Sequence, residues 1–302
     1  MAAPMRREAA AAAGRTAAAP GGLEPGAAPY GNFPNYSRFH PPEGRVRLLP
    51  NGLLRRLFPA RARARPLLGL DVGCNSGELS VALYRHLLGL PENEASPDQP
   101  VVAKDLNLLC CDIDAALIER AQQCSPFPAS IHYTTLDIMD AGARESSLSN
   151  FLSKFGRSTF DICFCMSVTM WIHLNHGDNG LVEFLSCLAS LCEYLLIEPQ
   201  PWKCYRAAAR RLRKLGRNDF DHFRSLAISG DMAEKGPMLV PQCSTRRSSH
   251  LTFHAVGHAA RILYRSQYVP GTSSYPVALN VGQGWRPPTH YPPSDDAFWS
   301  YL

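Results

Sequence analysis

Leu67-Leu68-Gly69-Leu70-Asp71-Val72-Gly73-Cys74-Asn75-Ser76-Gly77-Glu78-Leu79-Ser80 decides the fold. An apolar run breaks at two glycines, and a helical pattern opens after them. This is a buried strand turning into a helix. Gly73 and Gly77 carry no side chain to keep a ligand away from the backbone of the turn. Such a turn, at the carboxyl end of a parallel strand, suits a nucleotide-like cofactor. Outward from it the pattern alternates. Strands are expected at 106–111, near 131–136, at 160–166 and at 194–198, and helices at about 77–90, 115–124, 146–154, 180–192 and 202–215. That alternation predicts an α/β domain on a mainly parallel sheet.

Residues 1–28, rich in Ala, Gly and Pro, read as a disordered tail; 29–233 as the domain that carries the chemistry; and 91–104 as a polar insertion within it. From 234 to 302 the rhythm is lost. No acid lies between Glu234 and Asp295, and Ser, Pro, His and Gly crowd the segment. Short strand candidates at 251–256 and 276–281 carry no firm period, so this stretch is expected to be poorly structured.

The chain has 302 residues and is 45% hydrophobic, enough for a sizeable core. Lys and Arg exceed Asp and Glu by only 31 to 26, so a nucleic-acid partner has to be read from where the charges lie. The ten cysteines form no Cys-x-x-Cys pair, and Cys110, Cys111, Cys163, Cys165, Cys187 and Cys192 sit in apolar runs. There they act as small hydrophobes, which predicts reduced thiols and a cytoplasmic location. His173 and His176 are three apart with no matching second pair, so no metal is expected. No apolar run reaches the ~18 residues of a membrane span. Arg6, Arg7 and Arg15 give the first 28 residues a transit-peptide flavour, but serine and an amphipathic pattern are missing.

Acids follow successive strands. Asp112 closes the run Leu108-Leu109-Cys110-Cys111, where a carboxylate can accept hydrogen bonds from ribose hydroxyls; Asp114 competes for that role or caps the next helix. Asp137 is placed to reach an adenine amino group, with Ile138 along the ring. The spacing Asp-x-Gly-x-x-x-Gly at 71–77 is that of S-adenosylmethionine methyltransferases rather than Gly-x-Gly-x-x-Gly. After Phe160-Asp161-Ile162-Cys163-Phe164-Cys165-Met166 there is neither an Asp/Asn-Pro-Pro-Tyr/Phe motif nor a Pro-Cys pair, which argues against base-amine and cytosine-C5 methylation. Lys203, Arg206, Arg210, Arg213, Lys214 and Arg217 recur at helical spacing on one face, with Ala208, Leu212 and Leu215 opposite. With almost no acid to pair them, they suit a polyanion.

Four motifs carry a family resemblance: Gly31-Asn32-Phe33-Pro34-Asn35-Tyr36-Ser37-Arg38-Phe39, Leu70-Asp71-Val72-Gly73-Cys74-Asn75-Ser76-Gly77, Trp171-Ile172-His173-Leu174-Asn175-His176-Gly177-Asp178 and Glu198-Pro199-Gln200-Pro201-Trp202. From about 27 to 233 the chain resembles the bicoid-interacting-protein-three family of RNA 5′-end methyltransferases, in its branch acting on 5′-monophosphates. The resemblance implies a Rossmann-like class I methyltransferase with S-adenosyl-L-methionine as donor. It also implies a small RNA as acceptor, such as tRNA-His or a microRNA precursor, and a monomer. By position it implies that Arg45, Gly73, Asn75, Asp112, Asp137, Ile138 and Met166 hold the cofactor. The family finishes its sheet with two more strands; here they are expected to be missing, which would leave the fifth strand an unpaired edge.

A 5′-phosphomonoester is largely dianionic at neutral pH, its second pKa being near ~6, so its oxygen is already a nucleophile and no general base is required. Cations then hold the phosphate. Arg38 and Lys203 are the candidates, with His173 either a donor or a packed neutral ring. Tyr36 and Trp202 are candidates to stack on the terminal base, Trp202 alternatively for core packing, and Arg206, Arg210 and Arg213 to bind RNA. Two alternatives stand beside this reading: a non-catalytic RNA-binding decoy created by the altered tail, and a methyltransferase for a small molecule or protein carboxylate.

Overall fold

The computed structural model describes residues 29–59, 65–91, 106–216 and 218–228, together with the backbone of strands at 252–256 and 259–265. The tail at 1–28, nearly all of the insertion, the candidate strand at 276–281 and Arg217 lie outside the described residues. Three short helices come first: α1 (Tyr36–Phe39), α2 (Pro42–Val46) and α3 (Leu53–Leu57). The alternation follows as β1 (Leu67–Val72), α4 (Glu78–Leu88), β2 (Leu106–Asp112), α5 (Ala115–Cys124), β3 (Ile131–Thr135), α6 (Ala141–Ser153), β4 (Phe160–Met166), α7 (Thr169–Leu191), β5 (Cys192–Glu198) and α8 (Trp202–Lys214). The chain closes the sheet with β6 (Thr252–Val256) and β7 (Ala259–Arg265).

The strand order is β3-β2-β1-β4-β5-β7-β6, with the first five parallel and β7 antiparallel to β5. Every residue of β1, β2 and β4 is buried, because helices cover both faces of a parallel sheet. Side chains alternate between two apolar layers. Leu68, Leu70 and Val72 pack with Leu181, Phe184 and Leu188 of α7, while Leu67, Leu106 and Leu108 pack with Leu83, Tyr84 and Leu54 on the other face. A third cluster joins Phe33 to Trp171 and Leu174 of α7 and to Tyr205, Ala208 and Leu212 of α8.

Several expectations are corrected. The two final strands are present: β6 falls on the 251–256 candidate, and β7 covers the edge of β5 from Ile197↔Ile262 to Tyr194↔Arg265. The stretch from 234 therefore holds part of the sheet. A hairpin partnered on one edge only is held by backbone pairing more than by a buried apolar period, which is why it read poorly. The helix expected at 180–192 is the second half of α7, which begins at Thr169 and breaks at Gly177 (φ 70°, ψ −172°). Asp140 caps α6 by accepting from the Ala143 N–H at 3.0 Å, so that helix starts five residues before the expected 146. Leu215 does not pack under α8; it is 40% exposed at the helix end.

Candidate active site

The sheet order reverses between β2-β1 and β1-β4, and a cleft opens there beyond the carboxyl ends of these strands. It measures about 1140 Å³ including its open mouth. The β1 turn forms its floor and residues 30–45 strap across one side. Gly73 has φ +73°, and a Cβ there would stand 2.3 Å from Val168 Cγ2, so only glycine brings this turn against the β4 loop. Its N–H and that of Cys74 both donate to the Cys111 carbonyl, at 2.8 and 3.0 Å.

Asp112 stands at the centre of one half of the cleft. Its Oδ2 accepts from the Asn75 N–H at 2.8 Å and its Oδ1 from the Asp114 N–H at 3.0 Å. Burial raises its pKa, and those N–H groups pull the other way. Asp114 caps α5 by accepting from Ala116 and Leu117 N–H, and receives the Asn32 Nδ2 at 2.8 Å, so it is the structural acid of the pair. Asp137 Oδ1 accepts from the Met139 N–H at 2.9 Å, and Ile138 and Met166 line the same wall. Asp71 lies beneath, fully buried, accepting from the Ser80 hydroxyl at 2.6 Å; burial raises it to about 6.

The other half is assembled from distant chain segments. Arg45 Nη2 donates to Glu198 Oε2 at 3.2 Å and to Ser167 Oγ at 3.1 Å, with both members of the ion pair nearly buried. Ser167 holds a left-handed backbone (φ 64°), and the Gln200 side-chain amide donates to its carbonyl. Tyr36 hydrogen-bonds Ser167, lies under the Arg45 guanidinium at 5.7 Å and meets the His40 ring at 4.8 Å, tilted by 35°. Burial would lower Arg45, but Glu198 and Tyr36 hold it above its ordinary value. Burial, with Arg45 nearby, pushes His40 down to about 4, leaving a neutral ring at pH 7. The strap is tied down by Asn75 Nδ2 to the Phe33 carbonyl (3.1 Å), Asn175 Nδ2 to that of Pro29 (3.1 Å) and Arg120 Nη1 to that of Pro34 (3.0 Å).

The cleft therefore brings together Tyr36, Arg45, Gly73, Asn75, Asp112, Asp137, Ile138 and Met166. It does not bring in three expected catalytic residues. His173 is fully buried behind the wall, its Nδ1 3.2 Å from the Tyr205 hydroxyl and its Nε2 2.8 Å from Asp178 Oδ1. Arg38 is exposed on α1, and Lys203 is half-buried on α8; neither lines the cleft. Trp202 stacks on Tyr205 at 4.7 Å and on Phe223 at 6.0 Å, the packed fate and not that of an open platform. Arg206, Arg210 and Arg213 are exposed on α8 outside the cleft, Arg213 at 3.6 Å from Asp219. Arg211 on that helix instead lies over the Phe33 ring at 4.7 Å. His40, Ser167 and Asn32 carry no local signal in the sequence, because only the folded chain brings them into the cleft. Glu198 and Gln200 had a signal, the Glu-Pro-Gln-Pro-Trp run, but no role.

The donor set suits an adenosyl cofactor. Asp112 has an acceptor position left on each oxygen for ribose hydroxyls, Asp137 is an exposed carboxylate on the cleft wall, and Asn32 Oδ1 is buried with no partner among the described residues. No helix among the described residues is long and apolar enough to cross a membrane.

Comparison with known proteins agrees. Residues 160–258 match Bicoid-interacting protein 3 (Bin3), so the likeness runs past 233 and through β6. An RNA 5′-monophosphate methyltransferase of Bos taurus is 67% identical over 220 residues, 73% of this chain and 74% of that protein. That of Homo sapiens is 64% identical over the same shares. A pre-miRNA 5′-monophosphate methyltransferase of Xenopus laevis is 57% identical over 252 residues, 82% of this chain and 96% of that one.

Proposed function

This chain belongs to the bicoid-interacting protein 3 (Bin3) family, and from that premise we infer that it transfers a methyl group from S-adenosylmethionine to a terminal oxygen of an RNA 5′-monophosphate. The observation that carries the reading is the two-part cleft at the switch point of the sheet, in a chain 57–67% identical to proteins with that activity. When bound, S-adenosylmethionine supplies an electrophilic methyl on a sulfonium. Gly73 lets the backbone approach it, Asp112 accepts from its ribose, Asp137 accepts from the adenine amine, and Ile138 and Met166 flank the ring. Asn75 holds both the turn and the strap, through its N–H to Asp112 and its amide to Phe33.

The acceptor needs no base, because the dianion is nucleophilic at neutral pH. What the protein adds is position. Arg45, expected among the cofactor residues, instead lines the open half of the cleft with Tyr36 and His40, and these three hold the phosphate there in place of Arg38, Lys203 and His173. Glu198 keeps the Arg45 guanidinium in one orientation. The Xenopus relative supports a microRNA precursor as one substrate. tRNA-His, a cytoplasmic location and a monomer rest on the family resemblance. The decoy alternative loses its motive, since β7 covers the edge of β5.

The test is transfer of labelled methyl to short RNAs bearing a 5′-monophosphate, a 5′-hydroxyl or a 5′-triphosphate. Label on the monophosphate RNA alone, lost in Asp112→Ala, is the expected result. No transfer from folded protein, or equal transfer to all three, overturns the reading.

A further inference from the structure

The chain's basic character is concentrated. From Arg45 through Arg65 the sequence holds seven arginines and no acid, against a net charge of only +5 for all 302 residues. The fold sorts this stretch by face. Val46, Leu49, Leu53, Leu54, Leu57 and Phe58 are buried against α4 and the sheet, and Phe58 meets Tyr194 edge-on at 5.2 Å. The arginines between them, Arg47, Arg55 and Arg56, are thereby turned outward, and Arg65, just ahead of β1, is exposed as well. No ion pair among the described residues involves Arg55, Arg56 or Arg65. Cations with no acid partner among the described residues, set on a fixed apolar base, are unusual for a merely solvated face, where opposite charges intersperse.

The position of the stripe gives it a direction. It starts at Arg45, which lines the cleft, and ends at Arg65, two residues before β1 begins at the far end of the sheet. A six-residue strand at ~3.3 Å per residue puts those ends about 20 Å apart along the flank. Among the described residues no large apolar side chain is exposed between them; those exposed are Tyr30, Phe39 and Leu215. Surfaces that hold single strands interleave cations with aromatic platforms for unpaired bases. This one offers cations alone, which suits the phosphate rows of a duplex.

We propose that Arg55, Arg56 and Arg65 form a backbone track for a double-stranded RNA stem whose 5′ end enters the cleft. This rests on the RNA 5′-monophosphate reading above. The track is separate from α8, whose buried side packs in the cluster of Trp171 and Tyr205 on another flank. It makes the enzyme prefer a base-paired 5′ end over a free one without reading sequence, because phosphate contacts position a nucleic acid and do not specify it.

The experiment measures affinity by fluorescence anisotropy across a salt series for the whole protein and for the triple variant Arg55→Ala, Arg56→Ala, Arg65→Ala. The ligands are a 5′-monophosphate hairpin and a 5′-monophosphate single strand of five nucleotides. All three side chains are exposed, and a melting curve within about 2 °C of the parent verifies the fold. The expected result is a loss of about tenfold or more on the hairpin at 0.1 M salt. Its salt slope should fall by about 1 per arginine, with the short strand unaffected. Hairpin affinity and slope equal to the parent's, or an equal loss on both RNAs, overturns the track. Failure of the parent to methylate any RNA sinks the proposed reaction instead, and the binding arms still decide the track.

Discussion

The two halves of the cleft are built in opposite ways. In the cofactor half, Gly73, Asn75, Asp112, Asp137 and Ile138 all lie at or just past the ends of consecutive strands, and backbone geometry does the positioning. The Asn75 N–H to Asp112 bond spans 37 residues, one β-α-β step. In the acceptor half, Arg45 meets Glu198 across 153 residues and Ser167 across 122, and side chains do the positioning. The first half is a property of the fold; the second is an addition to it, made by a strap that precedes the sheet and a loop that leaves its fifth strand. Damage to the first should therefore abolish cofactor binding, while damage to the second should first appear as lost stability and misplaced acceptor.

The largest effect is expected at the turn. Gly73→Ala carries the left-handed backbone penalty of about 1 kcal/mol and also drives a Cβ into Val168. Gly52→Ala has a similar φ, +68°, with nothing within 4 Å of the added carbon. Calorimetric titration with S-adenosylmethionine should show no measurable binding to the first and parental binding to the second, at similar thermal stability cost from the backbone alone. Cofactor affinity retained in Gly73→Ala would break the claim that backbone approach defines this half.

Next in size is the Arg45–Glu198 pair. Glu198→Ala leaves a nearly buried guanidinium without its carboxylate, and urea denaturation should show a loss of about 3 kcal/mol. The double variant Arg45→Met, Glu198→Leu should recover most of that stability but not methyl transfer. A double variant no more stable than Glu198→Ala would mean that the pair is structural.

These two tests also mark what the sequence could reveal. The β1 turn, the strand ends at 67–72 and 160–166 and the helix at 115–124 are legible because short-range rules write them: an apolar period, glycines at a turn, an Asp at a cap. Asp112 and Asp137 follow from the same register. Ser167, His40 and the service of Glu198 to Arg45 are not legible, since no local rule says which side chain arrives from more than a hundred residues away. The α8 cations are conspicuous for the same local reason, but a charge pattern carries no address: neither Lys203 nor Arg206 lines the cleft. β6 falls on the strand candidate at 251–256, whereas β7 and its pairing with β5 are not legible, because an edge hairpin shows little apolar period.

The smallest effect sharpens the boundary between wall and site at His173. A buried ring bonded to Tyr205 and Asp178 ties α7 to α8, and Asp178 in turn accepts from Ala227 and Ile228 N–H at 2.8 and 3.0 Å. Burial holds the His173 pKa below 6.5, although Asp178 opposes that shift. Below pH 6.5 the unfolded chain then binds more protons at this residue than the folded one, so its contribution to stability falls as pH drops and is constant above. His173→Gln should be less stable by about 1 kcal/mol at pH 7.5, and should lose less stability than the parent between pH 7 and pH 5 in paired melting curves. Transfer by the folded variant at pH 7.5 should stay within about threefold of the parent, whereas a phosphate donor or proton carrier would cost on the order of a hundredfold. A hundredfold fall with the pH profile of stability unchanged would put His173 back in the site and move the acceptor half deeper behind Trp171.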